Sequence, residues 1–242
     1  MSFDFNTIPV MLGNALHPIA QLFTDSAGFY REHVAGTVEA IGRGEAGAII
    51  GAALVLLVIA AVLVIAGRKE PHRRFLVALK RKPQNIPLAI LAIAFVVYSF
   101  NLTHISNTTT LVQGPNMGLT GFVTMLGSIL MLVCCLNAYP YRKKIKKPMM
   151  ILMFIMIAVI MFCDCHYYNC IVSALTREEG AIAATADVTA AKNVVCVHFL
   201  ILLIGAAAAA FLPLYAKLIR RIRTSIDVEG NEDMAAIDIA GE

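Results

Sequence analysis

The chain has 242 residues, 59% of them hydrophobic and only 15% charged, with a formal net charge of +4. Globular domains run at about 45–50% apolar and about 25% charged residues, so a water-soluble fold of this size could not hide so much apolar surface. The positive balance is no sign of nucleic-acid binding, because the basic residues are bunched into short stretches beside apolar runs and read as topology determinants.

From 7 to 23, the apolar residues Ile8, Leu12, Ala15, Leu16, Ile19, Leu22 and Phe23 recur at helical spacing. The segment is short for a span and holds Pro18, which predicts an amphipathic helix lying on the outer face of a bilayer. Asp25 or Ser26 caps a second helix that carries Tyr30, Val34, Val38 and Ile41 on one side. Residues 1–44 therefore form an extracytoplasmic amphipathic cap that covers the mouth of a bundle or docks a partner subunit. No secretory signal is read here, since the N-terminus lacks a basic region and Asn14, His17 and Pro18 interrupt its first apolar stretch.

Five long apolar runs follow, at about 46–67, 86–105, 118–138, 149–169 and 194–216. About 20 apolar residues cross the hydrocarbon core as a helix. Barrel strands would instead be short and alternating. The fold class is an all-α integral membrane protein with a transmembrane domain over 45–223, one anchor helix preceding a four-helix bundle. Gly47-x3-Gly51 in the first run, and Gly205 followed by Ala206–Ala210 in the fifth, permit close helix approach. Residues 224–242 hold six acidic residues and no basic ones, which predicts a loose tail with one short helix.

Sixteen of the twenty Lys and Arg residues lie in 68–82, 142–147 and 217–223, on one side of the predicted topology. The positive-inside rule makes that side cytoplasmic. The chain is then a multi-pass protein of the cell membrane with its N-terminus outside and its acidic C-terminus in the cytoplasm.

The second half of the bundle resembles a copy of the first. Lys82-Pro83 and Lys147-Pro148 open two helices, and each reaches Phe-x3-His-x2-Asn, at Phe100-His104-Asn107 and Phe162-His166-Asn169. The returning helices share Asn-x5-Phe, at Asn116-Phe122 and Asn193-Phe199. Both hairpins start inside, so they are parallel repeats related by an axis along the membrane normal. His104 and His166 would then face one another near the outer leaflet.

Steps of three and four place Phe162, Cys163, His166, Asn169 and Cys170 on one helix face, with Asp164 and Tyr168 on another. Three readings compete. Imidazole and thiolate suit transition metals, so His104, Cys163, His166, Cys170 and Cys196 form a candidate metal set, and the two histidines could hold a haem in an electron-transfer subunit. Against this, Cys163-x-Cys165 is not a recognised zinc spacing. Asp164 is the one carboxylate within the repeat helices. An intramembrane carboxylate marks transport of a small solute or cation through the repeat interface, with His166 and His198 as partners. In the third reading the chain is a subunit or scaffold of a membrane assembly, alone or as a homo-oligomer. A pocket of His104, Asn107, His166, Asn169, Asn193 and Asp164 then faces outward, and Cys170 and Cys196 can join as a disulfide. Motifs of soluble enzymes are absent from the sequence: it has no phosphate-binding glycine loop, no Gly-x-Ser-x-Gly and no His-Glu-x2-His.

Overall fold

A computed structural model describes residues 6–67, 85–112, 114, 116–138, 146–176 and 186–239. Every element within them is helical. The basic stretches at 68–82 and 142–145, and with them Lys82-Pro83 of the repeat, lie outside the described residues.

Helix α1 (Thr7–Thr24) carries Pro18 within it and buries Met11 and Ala15. Asp25 caps the next turn, α2 (Ser26–Phe29), by accepting a hydrogen bond from the Gly28 N–H at 2.9 Å. A single π-helical turn, Tyr30–Val34, leads into α3 (Ala35–Gly42). Gly44, at φ 78°, then ends α3 in a left-handed turn in which the Glu45 N–H reaches back to the Ala40 carbonyl, the pattern of a helix-terminating glycine. The chain bends there by 109° into α4 (Ala46–Gly67), so α3 lies across the end of α4.

The second run is not one straight helix. Helix α5 (Asn85–Phe100) stops at Asn101, and α6 (Leu102–Val112) continues at a bend of 58°. The Asn101 side chain donates from Nδ2 to the Val97 carbonyl at 3.0 Å, which competes with the helical ladder for that acceptor. Gly51 of α4 packs onto the backbone beside the same break, where an added Cβ would overlap the Ser99 carbonyl oxygen. The predicted close approach of small residues is thus realised at Gly51, and again at Gly205, whose Cβ would meet the Leu91 side chain at 2.5 Å.

Asn116, at φ 61°, turns the chain into α7 (Met117–Ala138). The buried hydroxyls of Thr120, Thr124 and Ser128 each donate to the carbonyl four residues earlier. This satisfies them within the helix and leaves a narrow apolar face for a neighbour. Helix α8 (Lys147–Thr176) fills that role, with Ile160 lying against Gly127. Helix α9 (Ala186–Ile239) includes Pro213 and runs on through 224–239 as helix, where composition predicts a loose tail with one short helix. The segment has no proline, and its Ala, Met and Glu residues are good helix formers.

Helices α7 and α8 form the most extensive pair, while α9 is central and packs on α5, α1, α8 and α6. Two buried clusters result. One gathers Met11 and Ala15 of α1 with Tyr98, Ile105, Tyr167, Val195 and Phe199. The other gathers Leu91, Met131, Met153, Ile157 and Leu202 toward the opposite end. Helices α7, α8 and the Val188–Leu214 part of α9 are long and apolar enough to cross a membrane, and the two bent pairs raise the count to five if each is one span.

Candidate functional site

Asp164 and His198 meet where the two clusters adjoin. Asp164 follows Ile160 by one turn of α8, and His198 precedes Leu202 by one turn of α9. The residues one turn away on each helix are apolar, and the two polar side chains satisfy each other. The His198 Nδ1 lies 2.8 Å from the Asp164 Oδ2, with the residues 0% and 2% exposed. At this distance one proton bridges the pair, and with a second proton on Nε2 the pair is neutral as a unit whichever of the two atoms holds the bridging one. Neutrality matters, because a bare carboxylate held away from water would be very costly.

The other imidazole nitrogen, His198 Nε2, is buried and has no hydrogen-bond partner among the described residues. Tyr98 of α5 flanks the ring, with centroids 5.0 Å apart and planes tilted by 43°. Its hydroxyl lies beside Thr124 of α7. Helices α5, α7, α8 and α9 thus converge on one buried polar spot. The arrangement can bind, hold and release a proton at two nitrogens of one ring, with Asp164 orienting the ring and balancing its charge.

Asp164 is 2% exposed rather than open to an outward pocket. Helix α8 does not end near 169 but continues for about two more turns to Thr176, which carries the carboxylate into the interior.

The remaining candidate residues are dispersed. His104 turns its Nε2 to the Thr37 hydroxyl of α3 at 3.1 Å, and Gly36 leaves room for the ring edge. His166 lies 3.8 Å from Cys170 Sγ on its own helix. Cys163 sits beside Thr124, and Cys196 is fully buried in the cluster around Tyr168 and Phe199. Among the described residues no three His, Cys, Asp or Glu side chains are placed to hold a metal ion. The set His104, Cys163, His166, Cys170 and Cys196 is therefore not assembled as ligands, and no haem or metal chemistry is derived from it. All six cysteines are free thiols, Cys170 and Cys196 included.

The asparagines have separate tasks. Asn169 accepts from Thr7 of α1 at 3.1 Å, and further along the same helix Asn14 donates to the Tyr168 hydroxyl at 2.9 Å. These bonds seat the cap helix on α8. Asn193 lines a groove together with Asn101, and Asn107 is half-buried on α6. Of the six residues of the expected outward pocket, His104 and Asn169 thus serve the cap contact, Asn193 the groove and Asp164 the buried pair.

Sequence reasoning named Asp164 with His166 and His198 as its partners, of which His198 makes the contact, and it missed Tyr98, Ser99 and Asn101. A signal was present for the last three, since Tyr98-Ser99-Phe100-Asn101 is a polar interruption at the end of an apolar run. In comparison with known proteins, no family model, no curated protein and no solved structure matches this chain.

Proposed function

We propose that this membrane protein moves a proton, or a small solute or cation coupled to one, across the bilayer, with Asp164 and His198 as the proton-binding pair. The observation that carries the reading is the buried 2.8 Å contact between them, left with an unpartnered His198 Nε2 among the described residues. Ionisable residues within spanning segments are expensive to keep and mark ion or proton pathways. In this reading the N-terminus is extracytoplasmic, the C-terminus is cytoplasmic, and the broken helix α5–α6 is the element that rearranges, as in transporters with discontinuous helices. The two hairpins act as parallel repeats that rock about the α7–α8 and α5–α9 contacts between them.

The test uses the full chain in liposomes loaded with a pH-sensitive dye. A pH gradient imposed across the membrane is expected to dissipate faster than in protein-free vesicles. Both Asp164→Asn and His198→Gln should return the rate to that background while leaving the melting temperature within a few degrees. Dissipation unchanged by either substitution ends the proposal.

A second reading, as a subunit or scaffold of a membrane assembly, rests on α1. That helix holds Leu16 at 60% and Phe23 at 82% exposure outside the bundle. A partner or a second copy that co-purifies from native membranes, and is released by Leu16→Ser with Phe23→Ser, supports this reading. Release from the membrane surface without loss of any partner assigns α1 to lipid instead.

A further inference from the structure

A groove of about 370 Å³ opens between the cap and the bundle, walled by Ile19 and Leu22 of α1, Val97 of α5 and Val197 of α9. Asn101 and Asn193 are its polar members, and no Asp, Glu, Lys, Arg or His lines it among the described residues. The volume lies within the range of small-molecule sites, which are mostly apolar with a few placed polar groups. On α9 the groove is lined by Asn193, Val194, Val197 and Ile201, and the fully buried His198 is not part of its lining.

The two carboxamides are underused. Asn101 is 8% exposed and spends its Nδ2 on the Val97 carbonyl, which leaves its buried Oδ1 with no partner among the described residues. Asn193 is half-buried and makes no side-chain hydrogen bond to a described residue. Buried polar atoms are rarely left unsatisfied, and an exception asks for a missing partner. A carboxamide offers both donor and acceptor positions, so its best complement is a hydroxyl, which can give one hydrogen bond and take another. A charged head group would enter a lining with nothing to neutralise it, at a large desolvation cost.

We infer that the groove binds a neutral amphiphile, an apolar chain or ring body with a single hydroxyl, whose head pairs with Asn193 beside Asn101 and whose body lies along Val97 and Val197. The cap helix α1 forms the lid over it through Ile19 and Leu22. The site is separate from the Asp164–His198 pair and stands whether or not that pair moves protons.

The test is photo-crosslinking on the full chain in lipid nanodiscs. Three probes carry the same diazirine-bearing chain and end in an alcohol, in a carboxylate or in no head group. The alcohol should label peptides containing Val97 or Val197, and excess unlabelled alcohol should compete this labelling away. The other two probes should label those peptides about tenfold less, the scale of one lost hydrogen bond in a buried site. Asn193→Leu should lower alcohol labelling by a similar factor, and Asn193→Gln should keep most of it. Asn193 is only half-buried, so both variants are expected to fold, which a melting curve verifies. Equal labelling by all three probes, or no effect of Asn193→Leu in a folded variant, shows only general lipid contact and overturns the site.

Discussion

Two buried histidines, one at the α8–α9 crossing and one at the α5–α6 break, have opposite partners. His198 is 0% exposed and meets a carboxylate at 2.8 Å, whereas His104 is 7% exposed and meets the Thr37 hydroxyl at 3.1 Å. The hydroxyl is neutral in any state, so the second contact asks nothing of the ring's charge and acts as a fastener between cap and bundle. The carboxylate couples the charge of one helix to that of another, so the first contact ties protonation to packing. A histidine in a membrane span is thus informative by its partner rather than by its presence. The Phe-x3-His-x2-Asn match pairs His104 with His166, whereas the contact with Asp164 belongs to His198, which lies outside that pattern.

The contrast can be broken by mutation, and the largest effect is expected at the crossing. Asp164→Ala leaves a buried imidazole without its counter-charge and should cost about 3–5 kcal/mol, read as a fall in melting temperature in detergent. Asp164→Asn keeps a hydrogen-bonding group and should cost much less, which separates charge from contact. At the break, Gly51→Ala drives a methyl group into the Ser99 carbonyl oxygen, and pushing α4 off α5 should cost about 1–3 kcal/mol. Gly13, where nothing lies within 4 Å of the added carbon, is its control, and Gly13→Ala should not destabilise.

Smaller effects sharpen the comparison. The Tyr167 hydroxyl joins the two regions, donating to the Ile105 carbonyl at 2.5 Å and lying 3.0 Å from the Thr109 hydroxyl. Tyr167→Phe should cost about 1–2 kcal/mol, near the upper end for hydrogen bonds between spanning helices. Thr37→Val removes the fastener on His104 and should cost only about 0.6 kcal/mol, the average for such bonds. It should leave any proton flux in vesicles unchanged. A Thr37→Val variant that loses flux as fully as Asp164→Asn would erase the distinction between the two histidines.

Much of the architecture is legible in the order of residues alone. The run at 46–67 coincides with α4, the run at 118–138 begins within one residue of α7, and Asp25 caps where its chemistry says it should. Each depends on local properties, namely hydrophobic length and the hydrogen-bonding of a short acidic side chain. The break at Asn101 is not legible in that way, because a polar residue near a span end looks like the end itself. Its cause includes α4, whose Gly51 backbone crosses at Ser99. The dispersal of the five metal candidates is hidden for a related reason. Helical spacing says which residues share a face of one helix, but not which way that face turns within the bundle.

The sequence by itself determined the helical class and the placement of the long apolar helices, because a hydrocarbon interior leaves a polypeptide few choices and hydrophobic length records them. It also placed one carboxylate among the apolar residues of α8. Only the tertiary structure decided that His198, 34 positions away on α9, rather than His166, two positions away on the same helix, would meet it. Residues two apart on a helix point in divergent directions, while helices packed side by side can set any two of their residues in contact. The rotation of α9 against α8 is chosen by the whole apolar interface, and that sum over many contacts is not written in any short motif.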